Sequence, residues 1–374
     1  MQLFHDLLDQ SKQLNQAPFQ AQLAYHAQKG RYKTIHQSLI IPNLPAPLHY
    51  LNFLSIIGQP NAPMLRNESA IHSTALDTAT IIASVSPHMV GQLNSYSIKQ
   101  ECHFKKEYFQ FADREMISGN FPHFRIQRKD KELSFDLSIT TSNIISYFTK
   151  LRMGLAEHWS LLCQCEGEII YKEQKMAIRQ MGCFEYARSI NFSYLPLAFF
   201  TYQVINLKNN RQLLLAQVRD SFNGILQSRL YLRDAKTGIA QMFDENVRFK
   251  VHRVYPKVKT PNGQVMYLPR EFEWGYEGKD GTCISVQAQS RGDFKFGLAA
   301  GYVGSFKYQL KINHHEEMGE SGYCEYIDCR SLTWQEKNKQ EKMRDEFANS
   351  VPFACKKKKK SHILNDKHSF DKES

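Results

Sequence analysis

The sequence predicts a mostly β protein made of two consecutive antiparallel barrel or sandwich halves, flanked by N- and C-terminal helices. Three observations carry this. Short apolar or alternating runs are separated by Gly, Pro, Asn and Asp clusters along most of the 374 residues. Aromatic residues reach 12%, with 24 Phe and 18 Tyr, a composition that suits sheets better than helical bundles. A five-residue phrase occurs twice: Gly182-Cys183-Phe184-Glu185-Tyr186 returns as Gly322-Tyr323-Cys324-Glu325-Tyr326, so Gly-x-x-Glu-Tyr marks each half. An upstream Gly-x-x-x-Tyr also recurs, at Gly167–Tyr171 and Gly304–Tyr308.

Residues 1–34 read as a helical arm, with Leu3, Phe4, Leu7 and Leu8 at helical spacing and Gly30 closing a second, turn-rich piece. The first β half, 35–192, begins with the strand-like Ile35–Ile41. Prolines 42, 45 and 47 follow in a loop, and then Tyr50–Ile57, a dense apolar run suited to burial on both faces. Strands are expected at Ile81–Val85, Leu93–Lys99, His103–Phe111, Phe124–Arg128 and Leu133–Ile139. Ile144, Phe148, Leu151 and Leu155 fall at helical intervals, which predicts a helix interrupting the sheet. Strands resume at Trp159–Cys165, Ile169–Tyr171, Met176–Met181 and Phe184–Arg188.

The second β half, 193–330, offers Phe200–Leu207, Leu213–Val218, Gln227–Arg233, Val247–Val254, Val265–Leu268, Cys283–Gln289 and Ser305–Ile312. Phe306, Tyr308, Leu310 and Ile312 alternate with polar neighbours, which means one wet and one dry face. Thr333-x-x-Glu336 forms a capping box for a C-terminal helix over 331–350. A Lys-rich tail, 351–374, should be disordered.

The formal charge of +11 is concentrated partly in Lys356–Lys360, so the body is only mildly basic and carries no nucleic-acid reading module. The N-terminus has no secretory pattern, and no apolar run is long enough to span a bilayer. With eight Cys read as reduced thiols, a cytoplasmic location is expected. No dinucleotide, P-loop or nucleophile-elbow pattern occurs. Cys163-x-Cys165 and His314-His315-Glu316-Glu317 lack metal-site spacing, so neither cofactor nor metal is expected.

Glu185 and Glu325 are the candidate catalytic residues. Period-two alternation puts Glu185 with Met181, Cys183 and Ala187, and Glu325 with Tyr323 and Ile327, on faces apolar enough to raise a carboxyl pKa. Such a group serves as a general acid. It serves equally as a structural acceptor for backbone amides or for Arg188. Phe272, Trp274 and Tyr276 share one face of a strand and could line a cavity or simply fill a core. Tyr186, Tyr326 and Trp159 have the same two uses, and His158 could orient a water or relay a proton.

The duplicated Gly-x-x-Glu-Tyr strand ends, the His158-Trp159 strand start and Glu273-Trp274-Gly275 together resemble the lipocalin-like (calycin) superfamily of carotenoid hydratase and tocopherol-cyclase-like proteins, in a branch of unknown function. The resemblance implies two calycin-type barrel halves and a pocket for a large apolar molecule: a lipid, polyene, terpenoid or polyketide-like chain. It also implies cofactor-free protonation of a carbon–carbon double bond, giving hydration, cyclisation or isomerisation. A non-catalytic lipid or pigment carrier is the alternative, and membrane or nucleic-acid contact through the basic tail is a further one. If Lys356–Lys360 touches anionic lipid, at about 1 kcal/mol per lysine, flotation with anionic liposomes should lose binding when those five residues are deleted. Unchanged flotation refutes the contact.

Overall fold

The structure, a computed structural model, describes residues 8–16 and 23–330. Most of the expected N-terminal stripe, the 331–350 helix and the tail with Lys356–Lys360 lie outside the described residues. Both sheets fall within one unit, Met1–Glu336.

The first sheet is built from β1 (Tyr32–Pro42), β2 (Tyr50–Ile57), β3 (Thr78–Val85), β4 (Leu93–Ser97), β5 (Cys102–Lys105), β6 (Tyr108–Phe111), β7 (Glu115–Asn120), β8 (His123–Arg128), β9 (Leu133–Lys150), β10 (Ala156–Tyr171) and β11 (Gln174–Ile190). The second holds β12 (Leu197–Leu207), β13 (Arg211–Asp220), β14 (Ile225–Asp234), β15 (Ile239–Phe243) and β16 (Arg248–Val254). After the small β17 (Val258–Lys259) and β18 (Val265–Met266) pair come β19 (Pro269–Glu277), β20 (Cys283–Ser290), β21 (Lys295–Leu298), β22 (Gly301–Ile312) and β23 (His315–Asp328). The fold is mostly β: two large curled antiparallel sheets and few helices.

Each sheet is a meander whose last strand returns to pair with its first, β11 with β1 and β23 with β12. The free edges of each sheet are therefore neighbours in sequence: β4 and β5 in one, β15 and β16 in the other. Side chains curl these edges together. On β4, Tyr96 Oη donates to Glu115 Oε2 at 2.7 Å and Asn94 Nδ2 donates to Glu115 Oε1 at 3.3 Å. Arg128 completes the link, with Nη1 2.7 Å from Glu115 Oε1 and both side chains fully buried. In the second sheet the ring of Phe243 on β15 lies 4.6 Å from that of Tyr276 on β19.

The two motif copies occupy matching places. Glu185 stands opposite Ser38 on the β11–β1 pair, and Glu325 stands opposite Tyr202 on the β23–β12 pair. Their glycines leave room for a neighbour. A Cβ at Gly182 would sit 2.9 Å from both Cys165 Sγ and the Ile40 carbonyl, and one at Gly322 would meet the Phe306 ring at 2.4 Å. The upstream glycines are not equivalent: Gly167 opposes Ile178, before the motif, whereas Gly304 opposes Cys324 within it.

The helix expected over Ile144–Leu155 is not there. β9 continues to Lys150, and only a single turn, Arg152–Gly154, follows. Ile144, Ile145, Tyr147 and Phe148 are all buried because this end of β9 is covered on both faces. A four-residue spacing also keeps two side chains on one strand face, so periodicity alone could not separate the two conformations. Among the described residues of the N-terminal arm, a helix spans Ser11–Gln16. Among the described residues no helix is long and apolar enough to cross a membrane.

The first core is a set of touching rings, among them Tyr25, Phe109, Phe121, Phe124, Trp159, Phe184 and Tyr186. The second runs from inside its own sheet to the outer face of the first, taking in Ile40, Tyr50, Leu54, Ile82, Phe148 and Cys183. The buried Glu115–Arg128 pair yields a direct test. Arg128→Met should cost about 3–5 kcal/mol by leaving a buried carboxylate unpaired, and adding Glu115→Leu should recover part of that loss. Urea denaturation of the single and double variants measures both.

Candidate functional site

The strands between the two sheets are buried on both sides, so alternate residues face opposite cores. Along β11, Phe184 and Tyr186 enter the first core, while Cys183 and Glu185 face the second sheet. Along β23, Tyr326 and Cys324 turn into the second core, Tyr326 edge-on to Phe199 and Cys324 accepting from Gln203 Nε2. Tyr323 faces the first sheet, its ring 5.2 Å from that of Tyr50. Glu185 and Glu325 thus both face the seam between the sheets, where the charge of Glu185 acts on Glu325.

Glu185 is 3% exposed and well supplied with partners. Tyr202 Oη, from the other sheet, donates to its Oε1 at 2.5 Å. His158 Nε2 lies 3.4 Å from its Oε2. The sheet register explains this arrangement. Ser38, Glu185, Ser160 and Ser146 form one row across β1, β11, β10 and β9, and His36, Ala187 and His158 form the next. His36 and His158 stand edge to face, ring centroids 5.9 Å apart, and Phe148 packs on His158 at 4.7 Å. His36 Nδ1 bonds the Ser55 carbonyl at 3.0 Å. Among the described residues, the buried Ser38 and Ser160 hydroxyls beside Glu185 have no hydrogen-bond partner.

Glu325 is 4% exposed and has a poorer environment: Tyr323 Oη donates to its Oε1 at 3.0 Å. Burial, and then the charge of Glu185, push its pKa well above the usual carboxylate range, and the Tyr323 bond offsets only part of this. Glu185 differs. Burial pushes it up, but His158, Tyr202 and His36 together outweigh that and hold its pKa below the usual value. Two carboxyls from one repeated phrase are displaced in opposite directions, Glu325 up and Glu185 down. Around them, burial and then the neighbouring His158 lower His36 to about 4, while burial keeps the Tyr202 phenol protonated.

A buried cation also spans the seam. Arg233 on β14 donates to Ser146 Oγ, Gln212 Oε1 and the Ser160 carbonyl at 3.0–3.2 Å. Arg229 and Tyr231, on the same face, reach the carbonyls of Phe148 and Tyr147. Arg188 is not the partner of Glu185; its Nε pairs with Glu157 at 2.7 Å.

The structure brings Glu185, Glu325 and His158 together, but not the aromatic candidates with them. Trp159 and Tyr186 pack on each other in the first core at 5.3 Å. Phe272, Trp274 and Tyr326 belong to the second core, where Trp274 Nε1 donates to Gln203 Oε1 at 2.6 Å. Tyr276 is half-buried near the edge of that sheet. Sequence reasoning placed Tyr323 on the face of Glu325 but missed His36 and Tyr202. Their signal was position alone: a closing strand must lie beside the opening one, but the register that pairs them is not written in either segment.

A family model described as "Family of unknown function (DUF6670)" matches residues 54–341. No curated protein sequence matches the chain. Two solved structures share its fold. A Nitrosomonas europaea protein given the provisional name ATTH aligns with TM-score 0.55 at 13% identity, covering 79% of this chain and 93% of that one. Kievitone hydratase from Nectria haematococca aligns with TM-score 0.54 at 12% identity, covering 84% of this chain and 95% of that one. The likeness extends the lipocalin-like barrel description to both sheets.

The opposed carboxyls predict opposite responses to neutral isosteres. A raised folded pKa gives stability that is full below the unfolded value, about 4.3, and is lost as pH rises through the folded one. Glu325→Gln should therefore be more stable than wild type at pH 8 and close to it at pH 4. A lowered pKa gives stability that is present above the unfolded value and lost as pH falls through the folded one. Glu185→Gln should thus cost about 1–3 kcal/mol at pH 7, and less at low pH. Denaturant titrations at the three pH values decide; equal responses of the two variants would refute the assignment.

Proposed function

The chain belongs to the family of unknown function DUF6670, and we propose that it binds a large apolar, unsaturated ligand at the seam between its sheets and adds water across a double bond. The observation that carries this is the pair of buried glutamates on one seam whose surroundings push their pKa values in opposite directions, an arrangement suited to acid–base division of labour. The fold shared with kievitone hydratase supports the reaction class.

Glu325 is the proton donor. Its carboxyl proton goes to one alkene carbon, and the positive charge develops on the other. Water attacks that carbon, and the proton it releases passes to the Glu185 carboxylate, directly or through His158, which lies 3.4 Å away. One C–H bond and one C–O bond form as the π bond and one O–H bond of water break. Proton exchange with solvent then restores Glu325 to its acid form and Glu185 to its base form. Tyr202, donating at 2.5 Å, fixes the orientation of Glu185 and lowers its basicity. Phe148 packs beside His158, and Tyr202 and Tyr231 pack on Phe148 in turn, an aromatic group whose electron-rich π clouds favour a cationic intermediate. Cyclisation or isomerisation would use the same proton donor, with an internal nucleophile or proton loss in place of water.

The experiment is incubation of the purified protein with a panel of terpenoid, polyene and prenyl-phenol alkenes in heavy-oxygen water, followed by mass spectrometry. Wild type should yield a product carrying one labelled oxygen. Glu325→Gln should lower turnover by about 100-fold or more, the scale of a lost general acid, with ligand binding retained. A ligand that co-purifies and is returned unchanged by wild type and both Gln variants would instead establish a carrier.

A further inference from the structure

We propose that His36, His158 and Glu185 form a binding site for one divalent transition-metal ion, of the zinc or iron(II) class. The inference rests on the geometry of these three side chains and does not depend on reading Glu325 as an acid. One ligand atom from each lies within 4.8 Å of the other two. The three come from three adjacent strands, β1, β10 and β11, so the sheet itself holds them on one face.

The hydrogen bonds leave the coordinating atoms free and occupy the others. His36 Nδ1 is spent on the Ser55 carbonyl, which fixes the tautomer and turns the Nε2 lone pair away from it. A backbone carbonyl on the second ring nitrogen is the usual outer partner of a metal-bound imidazole. Glu185 gives Oε1 to Tyr202, which leaves Oε2 for the ion. His158 Nε2 already stands 3.4 Å from that oxygen and, among the described residues, makes no hydrogen bond. Ligand atoms about 2.0–2.1 Å from an ion are spaced about 3.4 Å apart in a tetrahedron. The His158–Glu185 spacing already meets this, and the ligand atom of His36 lies within 4.8 Å of both. The two imidazoles keep accessible surface beside the buried carboxylate, so coordination positions remain for water or a ligand oxygen. Two histidines and one carboxylate with open positions is a donor set that suits first-row divalent ions.

The test needs no substrate. Full-length protein, stripped with chelator and freed of any purification tag, is titrated with cobalt(II) and zinc(II) by calorimetry and visible absorption. Wild type should bind one ion per chain with a Kd below roughly 10 μM, and X-ray absorption at the cobalt edge should show two imidazole ligands. His36→Gln and His158→Gln should each weaken binding at least tenfold, and Tyr202→Phe by a few fold, the outer-partner effect. His315→Gln, at the β22–β23 turn, should bind as wild type does. Absence of stoichiometric binding, an edge spectrum without two imidazoles, or full affinity in both His36→Gln and His158→Gln overturns the site. Failure here leaves the hydration assay unaffected, and failure of that assay leaves the titration readable.

Discussion

Two curled sheets packed against each other through buried strands must satisfy the polar groups between them without water, and the Tyr202–Glu185 hydrogen bond across the seam is where that requirement is sharpest. A carboxylate excluded from water costs several kcal/mol unless donors surround it. Here one donor comes from β12 of the opposite sheet at 2.5 Å and a histidine from the neighbouring strand stands at 3.4 Å. Both sheets supply partners that lower the Glu185 pKa, His158 and His36 from its own and Tyr202 from the other. Arg233 obeys the same rule in reverse: its guanidinium leaves β14 and finds Ser146 and Ser160 on the first sheet.

One phrase closes both sheets, and the environment differentiates its two copies. Gly-x-x-Glu-Tyr closes each sheet at the same topological place, with the Tyr turned into its own core and the Glu turned to the seam. Around Glu185, β1 and β10 contribute Ser38 and Ser160 to its own row and His36 and His158 to the next. The residues opposite Glu325 are Tyr202 and Val303, and Tyr202 donates to Glu185 instead. Glu325 is left with Tyr323 and a like charge nearby, so protonation is its cheaper state. The strand phrase is the same, and the neighbouring strands decide the chemistry.

The aromatic content has a separate job. Trp159, Tyr186, Trp274 and Phe272 fill the two cores. Their packing positions the seam strands, since each residue that enters a core fixes its neighbour to face outward. The polar rows beside Glu185 are therefore a by-product of apolar alternation on β1, β10 and β11.

The sequence by itself determined the β class, most strand positions, the repeated closing strand, and the face of Glu185 with Cys183 and of Glu325 with Tyr323. These follow from local rules: turn residues end strands, and alternation assigns faces. It misread Ile144–Leu155 as helix because a strand covered on both sides loses its alternation. It also paired Gly167 with Gly304, which the register separates. Only the tertiary structure decided that both glutamates face one seam, that His36 and Tyr202 stand by Glu185, and that the surroundings push the two carboxyls in opposite directions. Those facts depend on strand register and on one sheet packing against the other. Both are fixed by contacts between residues far apart in the chain, and no local pattern encodes them.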